Sequence, residues 1–252
     1  MSKDIVVIKI GTGVLTREQD GTLDEASLVR LVTAISELIA SGVPVVMVSS
    51  GAVGAGVSAL QLDGYPDDTA SRQACAAVGQ TRLMHAYENI FQKFRLNVAQ
   101  LLLTAQDLDN EKRSSLVMNT LHKLLGKGNI VPIINENDSV AVEELRVGDN
   151  DMLSAKVACF LQAKLLVLLS TVNGLQKEDG SVLSVVSEIG DVTNHVREEH
   201  GKFSIGGMAS KLEAVSTALD VGIETVIASG REPEALSVII AGGEAGTRFV
   251  AK

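Results

Sequence analysis

Ile5-Val6-Val7-Ile8-Lys9-Ile10-Gly11 opens the chain, and Leu28-Val29-Arg30-Leu31-Val32-Thr33-Ala34-Ile35-Ser36-Glu37-Leu38-Ile39 follows it. Gly42-Val43-Pro44-Val45-Val46-Met47-Val48 closes the unit that decides the fold. The first run is apolar, β-branched and six residues long before its glycine, which predicts a strand over 5–10. From Leu23 to Ser41 the apolar residues recur at helical spacing, and Gly42 ends that helix. A second strand is predicted over 43–48. A strand, a helix and a strand in this order imply parallel pairing through a right-handed crossover.

The alternation continues outward. A helix is predicted over about 71–94, a strand over 98–103, and a helix opened by Asp107 and ended near Gly126. A strand over 130–134 precedes a helix that Asp149 or Asn150 caps and that runs to about Ala163. Further strands fall at 165–169 and near 225–228, with a helix over about 208–219 between them. The predicted fold is α/β, a three-layer α/β/α sandwich on a mainly parallel open sheet. Neither a repeat nor a linker interrupts 1–252, which reads as one domain. The stretch 176–202 is the least regular, with Glu178-Asp179-Gly180 as a turn, and reads as a hairpin or excursion outside the core. His195 and His200 lie in it without a third ligand at suitable spacing, so a solvated helical face is the expectation.

Composition narrows the function. Of the 252 residues 46% are hydrophobic but only 3% aromatic, so aliphatic side chains must fill a core of the kind that helices form on both faces of a sheet. A formal charge of −9 without a basic run argues against a nucleic-acid surface. Cys75 and Cys159 lie in apolar helical stretches and read as reduced, buried thiols. A leader peptide and an apolar run of membrane-spanning length are both lacking, which implies a cytoplasmic protein without membrane contact.

Open parallel sheets bind ligands beyond the carboxyl ends of their strands. Four segments there carry unusual residues. Lys9-Ile10-Gly11-Thr12-Gly13 sets a cation in an apolar strand ahead of glycines, which suits either a phosphate site or a snorkelling edge lysine before a tight turn. Ser49-Ser50-Gly51-Ala52-Val53-Gly54-Ala55-Gly56 suits an anion cradle or plain close packing, and its glycine order is not the dinucleotide fingerprint. Asn135-Glu136-Asn137-Asp138 and Gly148-Asp149-Asn150-Asp151 are denser in acceptors than turns and caps require. Ser204-Ile205-Gly206-Gly207-Met208-Ala209-Ser210-Lys211 opens a helix on paired glycines with a lysine one turn in, again a phosphate-binding pattern or a flexible turn. The Walker A pattern does not occur.

These segments, together with A-A-V-G-Q at 76–80, Q-L-L-L-T at 100–104 and G-T-R-F at 246–249, resemble the amino-acid kinase family over 5–249. The match is to the branch that phosphorylates glutamate at the head of proline biosynthesis. I-N-E-N-D and G-D-N-D, in this order, are the specific part of it. The resemblance implies that Lys9, Gly11 and Thr12 hold the nucleotide phosphates and that Ser50, Gly51, Asp138 and Asn150 bind L-glutamate. It implies that Asp151 orients two catalytic lysines, Lys9 and Lys211, and that Ser170, Thr171, Ile205, Gly206, Gly207 and Met208 line the nucleotide.

ATP and nucleotide-borne Mg²⁺ are the implied cofactors. Proline is the implied feedback inhibitor, a dimer or tetramer the implied assembly, and a glutamyl phosphate reductase a partner downstream. Ser170-Thr171 and Ser204-Ile205 depart from the family's Thr-Asp and Gly-Thr, which implies looser selection of the nucleotide base. Many bacterial relatives carry a C-terminal PUA module, and the form expected here lacks it. The competing expectations are a sister kinase acting on acetylglutamate, aspartate or a nucleotide, and a ligand-sensing module without catalysis.

Overall fold

The computed structural model describes residues 4–140, 150–177, 179–187, 189 and 207–250. Its elements are β1 (Val6–Ile10), α1 (Thr12–Leu15), α2 (Glu25–Ala40), β2 (Val45–Val48), α3 (Ala52–Ala59), α4 (Thr69–Phe91), β3 (Asn97–Leu103), α5 (Ala105–Asp109), α6 (Glu111–Leu125) and β4 (Ile130–Glu136). They continue with α7 (Asn150–Leu161), β5 (Leu165–Ser170), β6 (Val185–Val186), α8 (Met208–Leu219), β7 (Glu224–Ser229), α9 (Ala235–Ile240) and β8 (Thr247–Phe249).

Among the described residues the strands form one sheet in the order β3-β4-β2-β1-β5-β7-β8-β6, and only the β7–β8 pair is antiparallel. β1 is central. Val6 pairs in register with Val45 of β2 and with Leu165 of β5. The chain leaves β1 toward β2 and later returns to its other side as β5. That makes the carboxyl end of β1 a topological switch point, where a crevice opens.

Successive strand residues face opposite sides of a sheet, and both sides here are packed. Val6, Ile8 and Ile10 join Leu31, Ile35, Tyr87, Phe91 and Leu236 in a core beneath α2, α4 and α9. Ile5 and Val7 join Leu153, Val157, Leu212 and Val215 in a second core beneath α7 and α8. The helices stack on two faces of a mostly parallel sheet, as the alternation of patterns predicts.

Several local expectations need correction. The helix predicted from Asp107 is two helices, with Asn110 ending α5 and capping α6 through Arg113 N. Asp107 is not a cap but the third residue of a capping box, accepting from the Thr104 N–H and hydroxyl at 2.8 and 2.7 Å. The small-residue segment 49–56, expected as a loop, is one only to Gly51; from Ala52 it is the helix α3, which runs on to Ala59. The hairpin at 176–182 is present, with Gln176 bridging Val182, but its flanks are core: Leu175 and Val186 are buried in the second cluster. Asp149, His195 and His200 lie outside the described residues.

Cys75 is buried and Cys159 half-buried, both with free thiols.

Candidate active site at the carboxyl edge of the sheet

Lys9 shares strand parity with Ile5 and Val7, so its side chain enters the α7–α8 side. Being on the central strand it is 2% exposed, which excludes a snorkelling edge lysine. Asp151, in the first turn of α7, is fully buried opposite it. Its Oδ1 lies 2.5 Å from Lys9 Nζ and its Oδ2 3.1 Å from Lys211 Nζ. Ser210 Oγ donates to Oδ2 at 3.2 Å.

The carboxylate therefore bridges two buried ammonium groups, and the three side chains together carry one net positive charge. A dry site with excess positive charge is costly unless an anion completes it. Lys211 adds to that cost, because a cation in the first turn of α8 faces the positive end of the helix dipole.

The helix starts nearby point the same way. α2, α4 and α6 are closed by side chains of Asp24, Asp68 and Asn110, and α5 by the capping box of Thr104 and Asp107. α1, α3 and α8 instead begin at Gly11, Gly51 and Gly207 without a side-chain cap. Their first N–H groups remain available to an anion. Gly51 has φ +93°, a conformation that glycine adopts without strain.

The loops after β1 and β5 touch. Gly11 N donates to Leu169 O at 2.9 Å, and a Cβ on Gly13 would stand 2.8 Å from Thr171 Cγ2. Gly11, Thr12, Ser170 and Thr171 thus form one wall of the crevice on the β5 side. Gly207 and Met208 open α8 beside Lys211, while Ile205 and Gly206 lie outside the described residues.

On the β2–β4 side the polar residues form a second group. Asn150 Nδ2 reaches Ser49 O at 2.8 Å, Ser50 Oγ at 2.9 Å and Asn135 Oδ1 at 3.1 Å. Ser49 Oγ meets the buried hydroxyl of Tyr87 at 2.9 Å. Burial pushes the Asp138 carboxyl up to about 6. Tyr65 stands close by, its hydroxyl pushed up to about 12 by burial first and then by Cys75 and Asp138. Tyr65 anchors the 62–69 loop here: a Cβ on Gly54 would come within 2.8 Å of its hydroxyl. Position in a polar turn gave no sign of this tyrosine's role. Nor was Gln80 singled out, although it ends the A-A-V-G-Q motif and bonds Asn135.

The site thus has a cationic, buried centre flanked by a glycine-walled half and a half rich in amides and hydroxyls. Such an arrangement defines an enzyme of phosphoryl transfer, and the sequence pattern of the Amino acid kinase family matches residues 4–229. The chain belongs to that family.

Among curated relatives, Glutamate 5-kinase of Clostridium acetobutylicum is 41% identical across 98% of this chain and 94% of its own length. Glutamate 5-kinase of Geobacter sp. is 42% identical across 97% of this chain and 67% of its own length. Among solved structures, carbamate kinase from Giardia lamblia bound to AMP-PNP superposes with TM-score 0.69 at 17% identity, covering 99% of both chains. The last likeness shows the α/β fold.

Proposed function

We propose that the chain transfers the γ-phosphoryl group of ATP to the side-chain carboxylate of L-glutamate, forming γ-glutamyl phosphate, the first step of proline biosynthesis. The Lys9–Asp151–Lys211 triad, buried at the switch point of the sheet, carries this reading. It accounts for the departures from ordinary packing noted above, since the γ-phosphate is the anion that two lysines sharing one carboxylate lack.

The acceptor carboxylate has an ordinary pKa of about 4.3 and is ionised at neutral pH, so its attack needs no general base. What opposes reaction is the approach of one anion to another. Lys9 and Lys211 offset that repulsion on the transferring oxygens, and Asp151 holds both ammonium groups in place without exchanging a proton. Ser50, Gly51, Asp138 and Asn150 bind glutamate on the β2–β4 side. Gly11, Thr12, Ser170, Thr171, Gly207 and Met208 receive the nucleotide on the β5 side, so the two substrates meet in line over β1.

Mg²⁺ on the β- and γ-phosphates would add charge neutralisation. Asp151 is spanned by two lysines, so a magnesium ion would enter with the nucleotide and not on this carboxylate. No described helix is long and apolar enough to cross a membrane.

Incubation with ATP, Mg²⁺, glutamate and hydroxylamine should give γ-glutamyl hydroxamate. Failure with glutamate but ADP release with acetylglutamate or aspartate would move the chain to a sister activity.

Asp138 sets a pH dependence. Its carboxyl is raised in the folded protein, so its negative charge is stabilising to glutamate's ammonium only above about pH 6. KM for glutamate is expected to rise as pH falls through that value, with kcat changing less. Asp138→Asn should raise KM at neutral pH and flatten the profile. The stability linkage runs the other way. Between the ordinary carboxylate pKa and about 6 the folded state binds more protons, so Asp138 lowers stability as pH rises, and Asp138→Asn should not destabilise the free protein at pH 7. An unchanged pH profile in that variant would remove Asp138 from the substrate site.

Proline as end-product inhibitor would share the glutamate site beneath the loop that Tyr65 anchors. Initial rates over a grid of proline and glutamate should then show competition, with an apparent KM that rises at constant kcat. Inhibition that saturating glutamate leaves in place would indicate a separate site. Assembly as a dimer or tetramer, and delivery of the labile acyl phosphate to a reductase, complete the proposal.

A further inference from the structure

Two buried amides, Gln80 and Asn135, and the half-buried Asn150 run in series from α4 to α7, and two backbone groups fix which way they point. The Glu136 N–H donates to Asn135 at 2.9 Å, so the accepting atom must be the oxygen, Oδ1. Asn135 Nδ2 then points at Gln80 and donates to Oε1 at 2.8 Å. At the other end the Ser49 carbonyl can only accept, so the Asn150 atom facing it must be Nδ2. The same Nδ2 reaches Asn135 Oδ1. Every amide in the series donates toward Gln80. Among the described residues, two buried atoms of the series are without a hydrogen-bond partner, Gln80 Nε2 at one end and Asn150 Oδ1 at the other.

Such a series costs free energy as it stands, because each buried unpartnered polar atom has given up its hydrogen bonds to water without replacement. The cost at Asn150 is recovered when a donor reaches its oxygen, and a primary ammonium, with three N–H groups and a positive charge, is a strong donor to a carbonyl oxygen. Reversing Asn150 would set its nitrogen against that ammonium and its oxygen against the Ser49 carbonyl, which is unfavourable at both contacts. The polarity of the series thus decides whether the site attracts or repels an amino group.

We infer that Gln80 is a positioning residue: by accepting from Asn135 Nδ2 it fixes where Asn135 Oδ1 stands, and so holds in place the Asn150 amide, whose direction the two backbone groups set, with its oxygen presented to the α-ammonium of the amino-acid substrate. The inference rests on the glutamate-phosphorylating reading. Gln80 is 8% exposed on the inner face of α4, and Gly79 beside it lets α4 approach α3 closely: a Cβ there would fall 1.8 Å from Ala52 O. Its place is therefore determined by helix packing, not by the ligand, as a residue that pre-sets a site requires.

Steady-state kinetics of Gln80→Met, Gln80→Glu and Asn150→Ala, with the double variant Gln80→Met/Asn150→Ala, test it. Gln80→Met removes the acceptor for Asn135 Nδ2 at nearly constant volume. It should raise KM for glutamate by about tenfold, equivalent to ~1.4 kcal/mol, with kcat and KM for ATP within about twofold. In the Asn150→Ala background the same change should add less than about twofold, because its effect passes through Asn150. Gln80→Glu keeps an acceptor toward Asn135 and should return KM to within about threefold of the parent.

An unchanged KM in Gln80→Met, the full tenfold effect in the Asn150→Ala background, or a Gln80→Glu variant as poor as Gln80→Met would each overturn the assignment. Should Gln80→Met not fold, Gln80→Asn withdraws the acceptor while keeping an amide and serves in the same comparison. Parent enzyme that forms no hydroxamate from glutamate would sink the glutamate reading itself. Parent activity with an unaltered KM in the variant sinks only the role of Gln80.

Discussion

Lys9→Met and Lys211→Met will each lower kcat by roughly 10²-fold or more, the usual cost of removing one group that stabilises transition-state charge. Both ammonium groups converge on Asp151 from different elements, one from a strand and one from a helix, so neither can take the other's place. Methionine is the informative replacement because both stems are buried: Lys9 lies in the central strand, and Lys211 is 6% exposed. Alanine would add a cavity to the loss of charge. The folded state should tolerate either change, since Asp151 keeps one lysine and the hydroxyl of Ser210. Rapid-quench or coupled assays of kcat, beside thermal unfolding, separate the two effects. Near-normal kcat in a folded variant would show that its lysine has no part in phosphoryl transfer.

Asp151→Asn has the largest expected effect on both activity and stability. The carboxylate is fully buried and is approached within 3.1 Å by two ammonium groups. The neutral amide leaves those charges facing each other in a dry site. Removing one partner from a buried charge cluster costs about 3–5 kcal/mol, and for a chain of this size that corresponds to roughly 6–20 °C in Tm. kcat should fall by at least about 10²-fold, because the lysines lose the group that orients them. KM for glutamate should move little, since the acceptor-side hydrogen bonds run through Asn150 and Ser50. ATP should restore part of the lost Tm by supplying anionic oxygens to the stranded ammonium groups. A variant as stable as the parent, or one whose defect is confined to KM, would contradict the role assigned to Asp151.

α3 shows where local reading fails. Ala52-Val53-Gly54-Ala55-Gly56-Val57-Ser58-Ala59 contains two glycines, each costing about 1 kcal/mol in a helix interior. Propensity therefore favours a loop. The helix forms because Gly56 admits α4, where a Cβ would lie 1.9 Å from Cys75 O, and Gly54 admits the loops that carry Gly21 and Tyr65. Close packing against a 23-residue helix offsets the local cost. The split at Asn110 was equally hidden, because the capping box at Thr104 and the N-cap at Asn110 draw on the same polar residue types. Tyr65 was passed over for a related reason. It stands in a polar turn, and only the approach of that turn to Gly54 and Asp138 gives it surroundings worth noting.

Much of the molecule followed from the chain alone. The change of period between strands and helices dictated layers of helix on a parallel sheet. A lysine inside an apolar strand, glycines at helix starts and the two acceptor-rich blocks marked the crevice residues before any geometry was known. Those features are local, and near neighbours in sequence suffice to express them.

The rest depended on pairing between distant segments. Period two puts Lys9 on the same face as Val7, but it cannot say that α7 and α8 cover that face and bring Asp151 and Lys211 to it. Strand order alone seats β1 between β2 and β5, so that the half rich in amides and hydroxyls and the glycine-walled half lie on opposite sides of one lysine. The direction of the Gln80–Asn135–Asn150 series is set by a carbonyl at position 49 and an N–H at position 136, both held by the sheet. Hydrogen-bond polarity of this kind is a property of atoms in contact, and contact between residues 55 positions apart exists only once the sheet has closed.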